Sequence, residues 1–308
     1  MQKHKVALCQ LAVTPDKDGN ITRARARVEA AADAGAKLVV LPASRPLPLP
    51  EIWSCPYAME TLPSYAEDID GGESPSISML SELAAARKIT IVGGSIPEKA
   101  SGKVFNTCCV IGPDGQILAK HRKLHLFEID IPGDIKLKES DTFTGGQETT
   151  IVDTDVGRIG IGICHDIRFP ELAMLYRSKG AHLICYPSAF NMSTGELLWD
   201  LMQKSRAVDN QLFVATCSPA RDPNANSGYM IWGHSSLIGP FGEVLAAAGH
   251  EEATVIGEID LSTIQSTREN LPLEMQSRGD LYRLVDVLVN DSMKSRSETV
   301  SKKTRMCT

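Results

Sequence analysis

Two hairpins in the middle of the chain constrain its fold more than any other feature. The stretch "KVFNTCCVIGPDGQILAKHRKLHLF" reads as two alternating strands around a Gly-Pro-Asp-Gly turn, with the second arm running out through Lys120, Arg122 and Lys123. "TIVDTDVGRIGIGIC" repeats the pattern. Strand-helix-strand units flank both. Ahead of them, Asn20 can cap the alanine-rich "ITRARARVEAAADAGA", Gly35 stops it, and a strand at 37 to 41 follows. Ser74-Pro75 opens a second helix through Lys88, and "ITIVGGSIP" reads as a buried strand. Behind them, "FPELAMLYRSKG", "GELLWDLMQKSRAVDN" and "LSTIQSTREN" alternate as helices with the strands "HLICYPS", "QLFVATCS", "SSLIG" and "ATVIGEID". Antiparallel hairpins inside an alternating α/β chain predict mixed sheets rather than a doubly wound parallel one.

With 308 residues, 43% of them hydrophobic, the chain can bury a sizeable core, and no linker divides it. One domain is expected over 1–290. Residues 291–308, "DSMKSRSETVSKKTRMCT", carry no periodic apolar face and read as a disordered tail. A net charge of -6 argues against a nucleic-acid partner. No apolar run reaches the roughly 18 residues that span a bilayer, and the first strand leaves no room for a targeting peptide, so a cytoplasmic protein with no membrane partner is expected. The eight cysteines show no CxxC pair and sit mostly in strand-like runs, as reduced core thiols do.

Chemistry concentrates in "RIGIGICHDIRFPE", where a glycine-spaced strand ends at Cys164 and a helix signal begins at Phe169-Pro170. A thiol at such an elbow can use the following backbone N–H, that of His165, and the helix start to favour thiolate and oxyanion. Spacing alone leaves this reading level with that of a buried structural cysteine. Lys123, among Leu124, Leu126 and Phe127, could stabilise an oxyanion, but a solvated basic strand end explains the same residues more simply. His121 and His125 mimic a metal pair; on strand or loop that spacing is not expected to converge, and no metal site is assigned. No phosphate loop or dinucleotide fingerprint is present, and no cofactor is expected.

Taken in order, "LPEIWSCPY", "HRKLHLFEIDIPG" and "GICHDIRFPELA" resemble the nitrilase, or carbon-nitrogen hydrolase, superfamily. The resemblance runs from about residue 4 to 287. Its later segments, "YPSAFNMSTGELLWDLMQKSRAVDNQLFVATCSPARD", "WGHSSLIGPFGEVLA" and "LPLEMQSRGDLY", resemble the omega-amidase branch. The resemblance implies a four-layer α-β-β-α sandwich with two mixed sheets, a homodimer, and a small-molecule amide substrate. The reaction implied is hydrolysis of the terminal amide of 2-oxoglutaramate or 2-oxosuccinamate. It makes Cys164 the nucleophile, Glu51 the general base and Lys123 the oxyanion-stabilising cation. Glu139 would position Lys123 or the substrate amide. Arg168 would meet the distal carboxylate, as a bidentate guanidinium suits a dicarboxylate half-amide. Phe190 and Thr194 match a pocket wall and a polar substrate contact, and Tyr57 would line the same pocket.

The chain departs from that pattern twice. His165 stands where the branch usually has Tyr; a Cys-His hydrolase is discounted because adjacent residues at an elbow point apart and no Asn or Asp partner motif appears. Eight residues, Ala43 to Pro50, are also inserted between Leu41-Pro42 and Glu51. A sister amidase acting on deaminated glutathione or a carbamoyl amine is the nearest alternative. A scaffold left inactive by displacement of Glu51 is the alternative of another class.

Overall fold

In the computed structural model the described residues are 3–43, 53, 62–130, 136–222 and 230–288. Two units divide the chain, Met1–Asn270 and Leu271–Thr308. In the second, a short helix (Leu273–Gln276) is followed by a bidentate Arg278–Asp280 pair; the expected tail, 291–308, lies outside the described residues.

The first unit is a four-layer α-β-β-α sandwich. Its strands are β1 (Lys3–Gln10), β2 (Leu38–Val40), β3 (Thr90–Ala100), β4 (Lys103–Ile111), β5 (Ile117–Arg122), β6 (Glu128–Asp130), β7 (Lys136–Lys138), β8 (Thr150–Thr154), β9 (Gly157–Ile161), β10 (Leu183–Pro187), β11 (Phe213–Cys217), β12 (Ser236–Ile238), β13 (Val244–Ala247) and β14 (Ala253–Asp260). One sheet runs β14-β1-β2-β3-β4-β5 and the other β13-β12-β11-β10-β9-β8, while β6 and β7 form a small separate ribbon. Each large sheet has a parallel trio, β1-β2-β3 or β9-β10-β11, flanked by antiparallel strands. Both expected hairpins, β4-β5 and β8-β9, are the source of that mixture.

Strand alternation assigns the two faces. Val6 and Leu8 of β1 join Val40, Val92, Cys185, Ala215 and Leu237 in the core shared by the sheets. Ala7 and Cys9, pointing the other way, join Val39 and Ile91 beneath two helices, α1 (Lys17–Asp33) and α2 (Pro75–Arg87), through Val28, Leu80 and Leu83. Two more, α3 (Pro170–Ser178) and α4 (Met192–Asn210), cover the second sheet with Tyr176 and Trp199. Each Val, Leu or Ile among them contributes about 1.5–3 kcal/mol on full burial. A fifth, α5 (Leu261–Asn270), follows β14.

The first helix begins earlier than Asn20 suggests. Asp16 caps it, accepting from the Gly19 N–H at 3.1 Å. Asn20, buried inside the first turn, instead takes the Thr14 N–H at 3.0 Å and donates to the Thr14 carbonyl at 2.7 Å, pinning the preceding loop. Ser74 caps α2 as expected, accepting from Ile77 N–H.

Candidate active site

The parallel trio of the second sheet delivers its carboxyl ends to one place, the usual position for a site in α/β folds. Cys164 follows β9 and opens a 3₁₀ turn, Cys164–Arg168. Its φ of 42° is in the left-handed region that L residues rarely occupy, a strain that marks functional elbows. The thiol is buried and points to the Ala189 carbonyl, beyond the end of β10, at 3.6 Å. The glycines before it make room for neighbouring rings. A Cβ on Gly160 would stand 2.6 Å from the Tyr176 ring, and one on Gly162 would stand 2.5 Å from that of Tyr186. They are glycines because two buried rings lie across β9.

Lys123 arrives from the other sheet. Leaving β5, its N–H still donates to the Asn106 carbonyl and its carbonyl accepts from Gly146 N–H, both at 2.8 Å. Its side chain is fully buried, and the ammonium donates to both oxygens of Glu139, at 3.1 and 2.8 Å. Glu139, equally buried, also accepts the Phe127 N–H at 2.7 Å. A buried ion pair persists when further hydrogen bonds satisfy it, and this one meets that condition.

Between the two arms lies Asp166, with no exposed surface. Its Oδ1 accepts from the His125 N–H at 2.9 Å and from Nδ1 of the same residue at 2.7 Å. Its Oδ2 accepts from the Ile163 N–H at 2.9 Å and from His121 Nε2 at 3.1 Å. Burial alone would raise its pKa, but donation from His121, His125 and the Ile163 amide outweighs that and holds the carboxyl far below its ordinary range. The expectation that His121 and His125 do not converge is thus corrected: β5 ends at Arg122 and the chain turns, so both rings reach one carboxylate. Among the described residues no group of three His, Cys, Asp or Glu is arranged to hold a metal ion.

His165 packs edge-on against Phe127 and Phe169, and Phe169 stacks on His125 at 3.6 Å between centroids. Burial lowers its pKa to about 4, and the positive charge of Lys123 adds to the effect. The His165 imidazole is therefore neutral at pH 7. Burial pushes the thiols of Cys9 and Cys109 up to about 12, and raises those of Cys108, Cys185 and Cys217 as well.

A thiol on a strained elbow and a buried lysine-glutamate pair are borne on a chain whose residues 5–269 match the family model for carbon-nitrogen hydrolase. The chain belongs to that family. This carbon-nitrogen hydrolase is 60% identical over 294 residues to the chloroplastic omega-amidase of Arabidopsis thaliana, covering 95% of the chain and 77% of the relative. It is 48% identical over 282 residues to human omega-amidase NIT2, covering 92% and 98%. Among solved structures, Saccharomyces cerevisiae Nit3, a member of branch 10 of the nitrilase superfamily, superposes with a TM-score of 0.79 at 42% identity, covering 88% and 95%.

Within this hydrolase the remaining expected residues fall as follows. Arg168 ends the 3₁₀ turn and is exposed. Phe190 is buried edge-on to Trp199. Thr194 lies in the first turn of α4, where its N–H and hydroxyl both engage Asn191 Oδ1, the helix cap. Glu51 and Tyr57 lie outside the described residues, but Trp53, two residues after Glu51, is described and buried. Its indole N–H donates to the Gly93 carbonyl at 2.7 Å and its backbone N–H to the Ser95 carbonyl at 3.2 Å. The Ser95 N–H in turn donates to the Pro42 carbonyl at 3.4 Å. The chain on both sides of the inserted stretch is thus fastened to one residue of β3. Gly94 makes this possible: at φ 66°, a Cβ there would stand 2.3 Å from the Pro42 oxygen.

Sequence reasoning missed Asp166 and the Trp53 anchor. An acid two residues beyond the nucleophile candidate, in "CHD", was the available signal for the first; for the second it was the Gly-Gly pair inside a strand.

Proposed function

We propose that this carbon-nitrogen hydrolase is an omega-amidase, hydrolysing the terminal amide of 2-oxo dicarboxylic acid monoamides such as 2-oxoglutaramate and 2-oxosuccinamate. The observation that carries the reading is the buried Lys123 ammonium, fixed by both oxygens of Glu139, on a chain that also sets the Cys164 thiol on a strained elbow. Identity of 47–60% to omega-amidases over nearly the whole chain supports the substrate class.

In this reading Glu51 takes the thiol proton and the thiolate attacks the amide carbon. Lys123 and the His165 backbone N–H hold the tetrahedral oxyanion. Protonated Glu51 returns its proton to the leaving nitrogen, ammonia departs, and a thioester remains. Water deprotonated by Glu51 then attacks the thioester, releasing the 2-oxo acid and restoring the thiol. The oxyanion donors are worth about 3 kcal/mol or more. Arg168 meets the distal carboxylate, with Phe190, Thr194 and Tyr57 around it.

The reading extends to a homodimer in a reducing compartment, the cytosol. Buried cysteine side chains such as Cys9, Cys108, Cys109, Cys185 and Cys217, held as thiols, support the compartment. The dimer is supported by an exposed apolar stripe on α4, Leu197, Leu201 and Val208, continued by Phe241.

Ammonia release tests the function. 2-Oxoglutaramate should exceed deaminated glutathione, a carbamoyl amine and a nitrile in kcat/KM, and Cys164→Ala should abolish turnover while the fold survives. Preference for any of the other three, or an active Cys164→Ala, overturns the reading.

A further inference from the structure

We propose that Asp166 is a positioning residue, whose buried carboxylate sets the distance between the thiol and the oxyanion cation by clasping the two chain segments that carry them. The inference rests on the roles proposed above for Cys164 and Lys123. Those residues come from different sheets: Cys164 lies three residues beyond the end of β9, Lys123 one beyond the end of β5. Facing sheets joined only by apolar packing leave small sliding displacements cheap, whereas about 1 Å of misplacement at a reacting centre costs about 100-fold in rate.

Asp166, on the thiol's own segment, accepts four hydrogen bonds, three of which cross to the segment that carries Lys123. Ile163, one residue before the thiol, gives its N–H; His121 and His125, two residues to either side of Lys123, give three donors between them. The carboxylate can only accept, so His121 presents Nε2–H and His125 presents Nδ1–H. His121 continues the tie through Nδ1 to the Thr150 hydroxyl on β8 at 3.0 Å, a second crossing from one sheet to the other. Asp166 also closes its own turn, its N–H donating to the Ile163 carbonyl at 3.0 Å. Every donor is directional, and each arm is gripped immediately beside its reacting residue. Such an arrangement fixes relative position in a way that the apolar contacts around it do not.

His125 provides the test, because its side chain is 31% exposed and can be replaced without hollowing the core. It has two separable contacts, the donor to Asp166 and the ring stack on Phe169. His125→Asn places an amide N–H where Nδ1–H stood and loses the stack; His125→Phe keeps the stack and loses the donor. Positioning predicts that kcat falls about tenfold or more in His125→Phe, with KM within about threefold, while His125→Asn stays within about threefold of the parent. Asp166→Asn should lose about 100-fold in kcat; should it fail to fold, the His125 pair decides alone. Parental kcat in folded His125→Phe overturns the proposal, as does equal impairment of both His125 variants or a loss confined to KM. Cys164→Ala, assayed alongside, separates the two levels: if it is active the nucleophile assignment fails, and if it is inactive while His125→Phe is normal only the positioning role fails.

Discussion

The elbow at Cys164 was legible in the sequence because what marks it is local: a strand, a break and a helix start within a dozen residues. Asp166 was not, because its partners His121 and His125 lie 45 and 41 residues away, and only the stacking of sheets brings them together. The glycines of "RIGIGIC" were visible but their reason was not, since the rings they admit belong to α3 and β10. Gly162→Ala should therefore cost about 1–3 kcal/mol in urea unfolding, as its Cβ would overlap the Tyr186 ring; unchanged stability would mean that the ring moves freely. Arg168 is a different case, exposed beside the site. Arg168→Ala should raise KM for the half-amides and leave uncharged amides less affected; an equal loss for both would make it structural.

Elements with strong periodicity or caps appear close to where the sequence puts them, and those without do not. β13 shows no alternation, three of its four residues being exposed, and β6 and β7 have three residues each, too short for a pattern. The β4-β5 hairpin carries a charge cluster that composition could not reveal. Glu98 of β3, without exposed surface, accepts from Arg122 Nε and from its terminal nitrogen at 2.8 Å, from Lys120 at 2.9 Å and from Thr107 at 2.7 Å. Burial opposes its ionisation, but these donors prevail and lower its pKa from 4.5 to about 2. A depressed folded-state pKa gives stability that is complete above the unfolded value and lost as pH falls through the folded one. The stability gap between the parent and Glu98→Gln should thus be full at neutral pH and shrink between about 4.5 and about 2. A gap that stays constant across that window in urea titrations would show that Glu98 is not held ionised by the cluster.

At the scale of the whole molecule, mixed sheets and their helix layers followed from the order of hairpins and strand-helix-strand units, whereas pairing with a second copy, which the proposed function includes, rests on surface exposure that a sequence does not display. Leu197, Leu201 and Val208 occupy one face of α4 at 73%, 60% and 43% exposure, and the turn bearing Phe241 lies beside Val208. Sedimentation should show a dimer, and Leu197→Asp with Leu201→Asp should convert it to a monomer; a monomeric parent at assay concentrations would remove that expectation. The fastening at Ser95 has a wider consequence. With Pro42 and Trp53 secured to the same residue, the number of residues between them is decoupled from the register of either sheet, and doubling a flexible loop adds only about 0.6 kcal/mol. That joint is a splice point: lineages, or engineers, can lengthen the chain there without re-solving the fold.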